Sequence, residues 1–125
     1  MDIAPNLEVK VLALAQAMAK AEGFGPPQNL PTRINNPGDL ELGDQGFGTK
    51  DDKTIFNTVQ AGWTALEGQV RWMLTGNSRV YNLTDTILDV AEKYTGGDNP
   101  EAWAQIVAED LGIKVSTTLA SFVAM

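Results

Sequence analysis

A chain of 125 residues with 43% hydrophobic and 20% charged side chains is expected to form one domain, spanning 1–125. That length can bury a single core without a metal or disulfide to staple it. It contains no cysteine and no histidine, which excludes Ser-His-Asp and Cys-His nucleophilic systems and any zinc site built on thiolate or imidazole. A net charge of −7 leaves no basic stripe for a nucleic acid, and no apolar run reaches the roughly 20 residues that a membrane span requires.

The first element is read as an amphipathic helix over residues 6–22. Leu7, Val11, Leu14 and Met18 repeat at i, i+4, i+7 and i+11 along one face. Asn6 serves as the N-cap, with Asp2 as the alternative for an earlier start. Gly23 suits a left-handed residue just past the helix, and Pro26-Pro27 keeps it from resuming. The start at Met1-Asp2 has no basic segment, and Lys10 interrupts the apolar stretch, so a secretory signal is not expected.

Residues 23–57 lose helical periodicity and become rich in Gly, Pro, Asn and Asp. Asn36-Pro37-Gly38-Asp39 has the Pro-Gly centre of a type II turn. Short strands are expected at Leu40–Leu42 and Thr54–Phe56, with a third near Phe47. The five acids between Asp39 and Asp52 lack the spacing of a calcium loop and are read as a solvated acidic segment.

Helical periodicity returns at 58–75, where Val59, Trp63, Leu66, Val70 and Met73 share a face behind a Thr58 cap. A shorter helix is expected from a Thr84 cap to Tyr94, and another opens at Asn99-Pro100 and carries Trp103, Ile106, Val107 and Leu111 inward. Ser116 or Thr117 is expected to cap a last short helix ending at Met125. Trp63 and Trp103 are assigned to the core, while Trp72 lies off the main apolar face.

With imidazole and thiol absent, carboxylates are the acid/base groups available near neutral pH. Glu22 is the first candidate. At about 100° per residue it falls within roughly 60° of Leu7 on the helical wheel, so its carboxyl runs along the apolar face. Burial disfavours the charged form, and an acid kept protonated near neutral pH can donate to a leaving oxygen, as glycosidic cleavage requires. The alternative for Glu22 is a frayed helix end in solvent. Asp110 is a second acid on an apolar face, with no polar loop after it. Arg33, Asn35 and Asn36 carry donors suited to sugar hydroxyls, or alternatively satisfy their own turn. Phe24, Phe47 and Tyr94 either stack on sugar rings or fill the core.

Several of these residues also form a familiar pattern. Ala21-Glu22-Gly23, Arg33-Ile34-Asn35-Asn36-Pro37-Gly38-Asp39-Leu40, Gly46-Phe47 and Ala61-Gly62-Trp63-Thr64-Ala65-Leu66 resemble a lysozyme-like group of phage and prophage peptidoglycan hydrolases. Tyr94-Thr95, Asn99-Pro100-Glu101-Ala102-Trp103-Ala104 and Leu111-Gly112-Ile113 continue the likeness in order along nearly the whole chain. The resemblance implies a mainly α (α+β, lysozyme-like) fold of about five helices with a small β hairpin beside a cleft. It also implies cleavage of the β-1,4 bond between N-acetylmuramic acid and N-acetylglucosamine, by hydrolysis or as a lytic transglycosylase, with no cofactor and no metal.

On that likeness Glu22 matches the catalytic acid, Asn36 and its neighbours match the cleft-lining turn, and Tyr94 matches the cleft tyrosine. Asp39 stands where the family often has Asn, as a second catalytic group or as added acidity in the cleft. The expected substrate-binding set is therefore Arg33, Asn35, Asn36, Asp39, Phe47 and Tyr94. The partner implied is the peptidoglycan glycan strand. The chain would act at the bacterial cell wall after phage-type release, as a monomer or as part of a phage particle. The acidic charge differs from the cationic lysozymes and weighs against tight attachment to anionic walls. A competing reading is a virion or wall-associated structural protein that binds glycan without cutting it.

Overall fold

Alanine and leucine dominate the first helix, and in the computed structural model it is the element around which the others assemble. The structure describes the chain from Ala4 to Met125, with side chains from Asn6 onward. Helix α1 (Ala4–Ala21) packs against α3 (Val59–Leu74), α5 (Pro100–Leu111) and α6 (Leu119–Ala124), and α5 in turn packs against α4 (Ile87–Thr95). Val11, Leu14 and Met18 are at most 1% exposed, so the stripe read from the sequence is the core face. Six helices among the described residues and one small antiparallel sheet make the fold mainly α with a β hairpin. None of the described helices is long and apolar enough to cross a membrane.

Several boundaries differ from the expected ones. Helix α1 begins at Ala4 rather than after Asn6, and the Asp2 cap lies outside the described residues. A one-turn helix, α2 (Leu30–Arg33), forms inside the segment read as irregular, started by Pro31 in its first turn. The cap of α4 is Thr86, not Thr84. Its hydroxyl accepts from the Asp89 N–H while the Asp89 carboxylate accepts from the Thr86 N–H, a reciprocal box that decides the start. Thr118, not Ser116 or Thr117, caps α6 by the same kind of bond to Ser121. Val59, expected on the buried face of α3, is the first residue of that helix and is 43% exposed. Lys10, which breaks the apolar run of α1, donates to the Phe122 and Met125 carbonyls at 3.0 and 2.9 Å and so satisfies the end of α6.

The hairpin is shorter than expected and displaced. Strands β1 (Thr49–Lys50) and β2 (Lys53–Thr54) pair in register Thr49 to Thr54 and Lys50 to Lys53. Leu40–Leu42 is not a strand, although it follows β2 closely: the Thr54 N–H donates to the Leu40 carbonyl at 2.9 Å, and the Leu42 N–H donates to the Thr54 hydroxyl at 2.8 Å. Phe47 lies in a bend before β1, 54% exposed.

Candidate active site

Helix α1 ends in a way that fixes its last side chain. The Phe24 N–H bonds back to the Ala19 carbonyl and the Gly23 N–H to the Lys20 carbonyl, with Gly23 at φ +83°. This pair of bonds is the Schellman closure, and it makes Glu22 the C-cap residue of α1. Asn29 locks the closure by donating its amide to the Gly23 carbonyl at 2.7 Å. Phe24 then stacks edge-on against Trp63 at 5.5 Å. Glu22 is therefore held at a rigid helix end instead of fraying into solvent.

The Glu22 side chain is half-buried beside a cleft of about 490 Å³ lined also by Asp39, Lys53, Tyr94 and Trp103. Its Oε2 accepts a hydrogen bond from the Trp103 indole N–H at 2.7 Å. Burial raises the Glu22 pKa from the usual 4.5 to about 7. The Trp103 bond opposes that rise, the neighbouring Asp39 carboxylate adds to it, and Lys53 opposes it weakly. The carbonyl end of α1 also disfavours a negative charge at this position. A carboxyl in this setting exchanges its proton near neutral pH.

The Asn36-to-Asp39 turn is built differently from a type II turn. Gly38 keeps a negative φ; the left-handed residues are Asn35 (φ +57°) and Asp39 (φ +52°), side chains that tolerate this region better than most. Gly38 is needed for space instead: a Cβ there would come within 2.7 Å of Leu66 Cδ1 and 3.1 Å of the Tyr94 hydroxyl oxygen. Gly62 of α3 is tighter still, with Asn35 O only 1.9 Å from where its Cβ would be. The turn is thus clamped between α3 and Tyr94, whose hydroxyl donates to the Gly38 carbonyl.

Four of the six expected sugar-binding residues do not line this cleft. Asn36 is fully buried, and its amide is consumed internally: Nδ2 donates to the Leu40 and Thr54 carbonyls at 3.0 and 2.9 Å, and Oδ1 accepts from the Leu40 N–H at 2.9 Å. Asn35 donates to the Phe56 carbonyl at 3.0 Å. Both amides tie the turn to the hairpin rather than facing the cleft. Arg33, at the end of α2, is exposed and outside the cleft lining. Phe47 is also away from Glu22, in a separate shallow depression with Ile55, Phe56 and Ala61.

Asp39 and Tyr94 do line the cleft. Tyr94 lies against Trp103 with ring centroids 5.2 Å apart, and burial followed by the Glu22 charge keeps its pKa well above the ordinary tyrosine range. It is a neutral donor at any relevant pH. Asp110, the alternative acid, is exposed and paired with Lys20 at 3.4 Å.

Two site residues carried no readable signal as such. Trp103 satisfied the core pattern of α5, and periodicity does not report where an indole N–H points. Lys53 sits in the hairpin between Asp39 and Glu41, at 3.4 and 3.1 Å. Burial works against its charge, but the two carboxylates outweigh this and raise its pKa, so it is a fixed cation at the cleft wall. Comparison with protein-family models, with curated proteins and with solved structures gives no match to this chain.

Proposed function

We propose that the protein is a peptidoglycan-cleaving glycosidase acting on the β-1,4 bond between N-acetylmuramic acid and N-acetylglucosamine, with Glu22 as the acid. The observation that carries this reading is a half-buried glutamic acid with a pKa of about 7, fixed at the edge of a polar cleft. The likeness of the Glu22-Gly23 helix end and the Asn35–Leu40 turn to the lysozyme-like hydrolases supports the same substrate class. The chain would act at the bacterial cell wall, after phage-type release or as a virion component.

In this mechanism protonated Glu22 donates to the bridging oxygen as the glycosidic bond breaks, relieving the developing alkoxide. Positive charge builds on the sugar ring, and the ionised carboxylates of the cleft stabilise it. Asp39 lines the same cleft and its charge raises the Glu22 pKa, a sign that the two carboxyls are close. A base that activates water from the opposite side of the sugar stands roughly 6.5–9.5 Å from the acid, so the closeness of Asp39 speaks against that role. The arrangement favours Glu22 acting twice. As a carboxylate it takes the proton of the muramyl 6-hydroxyl while that oxygen bonds to the anomeric carbon. The product is then an anhydro sugar and Glu22 is protonated again.

Turbidity of a purified peptidoglycan suspension, followed with wild type and Glu22→Gln, tests the reading. Clearing by wild type and at least an approximately hundredfold slower rate in the variant is expected. Equal rates would remove Glu22 from the chemistry. Retained glycan binding without clearing by either protein would make this a binding protein instead.

A further inference from the structure

The Asp39 carboxylate presents an unexplained atom. Its Oδ1 is buried and has no hydrogen-bond donor, whereas its Oδ2 pairs with Lys53 at 3.4 Å. An orphaned carboxylate oxygen inside a protein is costly, and one in a native structure calls for a missing proton or partner. Glu22, across the same cleft wall, has the complementary asymmetry: Oε2 is taken by the Trp103 N–H, which leaves Oε1 to carry a proton.

We propose that Asp39, steadied by Lys53, is a positioning residue that holds the Glu22 proton on Oε1 through a Glu22 O–H to Asp39 Oδ1 hydrogen bond. Trp103 selects which Glu22 oxygen is protonated, and Asp39 supplies the acceptor that keeps the proton aimed into the cleft. A glycosidic oxygen entering the cleft takes over that bond. The left-handed backbone of Asp39, held by the buried Asn36 amide and the hairpin, sets the acceptor's position. The titratable groups facing Glu22 across the cleft are Asp39, Glu41 and Lys53 from the turn and hairpin, and Lys93, Tyr94 and Asp98 from α4 and the loop after it. Lys93 is occupied by Asp85 at 2.7 Å and the Val80 carbonyl, so Lys53 is the cation that bears on the pair.

This inference rests on reading Glu22 as the glycan acid, but its test needs no glycan. The Glu22 side-chain carboxyl carbon is followed by NMR through a pH titration in wild type, Asp39→Asn, Asp39→Gly and Lys53→Met. Asn and Gly both accept the positive φ at position 39, so each removes the carboxylate without straining the turn. Both Asp39 variants are expected to lower the Glu22 midpoint by about one pH unit, a roughly tenfold loss of proton affinity. Lys53→Met is expected to move it the opposite way. The alkaline limb of any cleavage activity would shift in parallel. Unchanged midpoints in both Asp39 variants would overturn the pairing. Shifted midpoints in a protein that leaves peptidoglycan intact support the pairing and contradict the glycosidase reading. Unmoved midpoints in a protein that cleaves contradict the pairing alone.

Discussion

Replacing Glu22 by Gln should make the protein more stable, and only above mildly acid pH. In the fold the carboxyl has a pKa of about 7, against the 4.5 usual for glutamate. The folded chain therefore binds a proton more tightly than the unfolded one, and stability falls as pH rises between these values. The stabilising contribution of the protonated form is complete below about 4.5 and lost above about 7. Fully counted, that gap corresponds to roughly 3 kcal/mol; solvent reaches part of the carboxyl, so about 2 kcal/mol is a fairer magnitude.

Gln mimics the protonated state. Its carbonyl can accept from Trp103 and its amide can donate to the orphaned Asp39 oxygen, with no charge to desolvate. For a domain of this size, about 2 kcal/mol is roughly 8 °C in Tm. Thermal unfolding followed by circular dichroism at a series of pH values from 4 to 8.5 measures the difference between the two proteins. It should be near its minimum at pH 4, widen through pH 5–7 and then level off. A difference that stays constant across the series, or widens towards acid pH, would refute the reasoning about the Glu22 environment.

Two glycines of α3 give a sharper contrast. Gly62→Ala forces a methyl group into Asn35 O and should cost at least about 3 kcal/mol or abolish folding, whereas Gly68→Ala meets nothing within 4 Å and should stabilise by roughly 0.5–1 kcal/mol. Urea denaturation of both variants reads the two signs. Asn36→Ala strips a fully buried amide from three backbone groups and should cost about 3 kcal/mol by the same measurement, with a loss under 1 kcal/mol arguing against the turn as a clamp. Trp103→Phe keeps the ring packing on Tyr94 but removes the N–H that favours the Glu22 anion, so the Glu22 midpoint should rise by about one pH unit in an NMR titration.

The helical core was legible because α1, α3 and α5 each bury a stripe with helical period, and Gly23, Gly96 and Gly112 close α1, α4 and α5 in the left-handed conformation. Glu22 was legible for the same reason: an acid four residues after Met18 on a buried stripe must lie beside the core. The hairpin was harder. Its strands are two residues long, and Leu40–Leu42 is held by single bonds to Thr54 that leave no alternation to read. Asn35 and Asn36 were recognised as a constrained turn, but residue type does not tell a donor facing a ligand from one facing its own backbone. That distinction depends on α3 and the hairpin closing over the turn. The Trp103–Glu22 bond and the Asp39–Lys53 pair join residues 81 and 14 positions apart, and such partners emerge only with the tertiary fold.

The rate of peptidoglycan cleavage as a function of pH bears most directly on Glu22 as the proton donor. At subsaturating substrate, the alkaline limb should fall with a midpoint near pH 7, where Glu22 loses its proton. A rate that holds undiminished to pH 9, or that already declines near the ordinary glutamate value of 4.5, would contradict it.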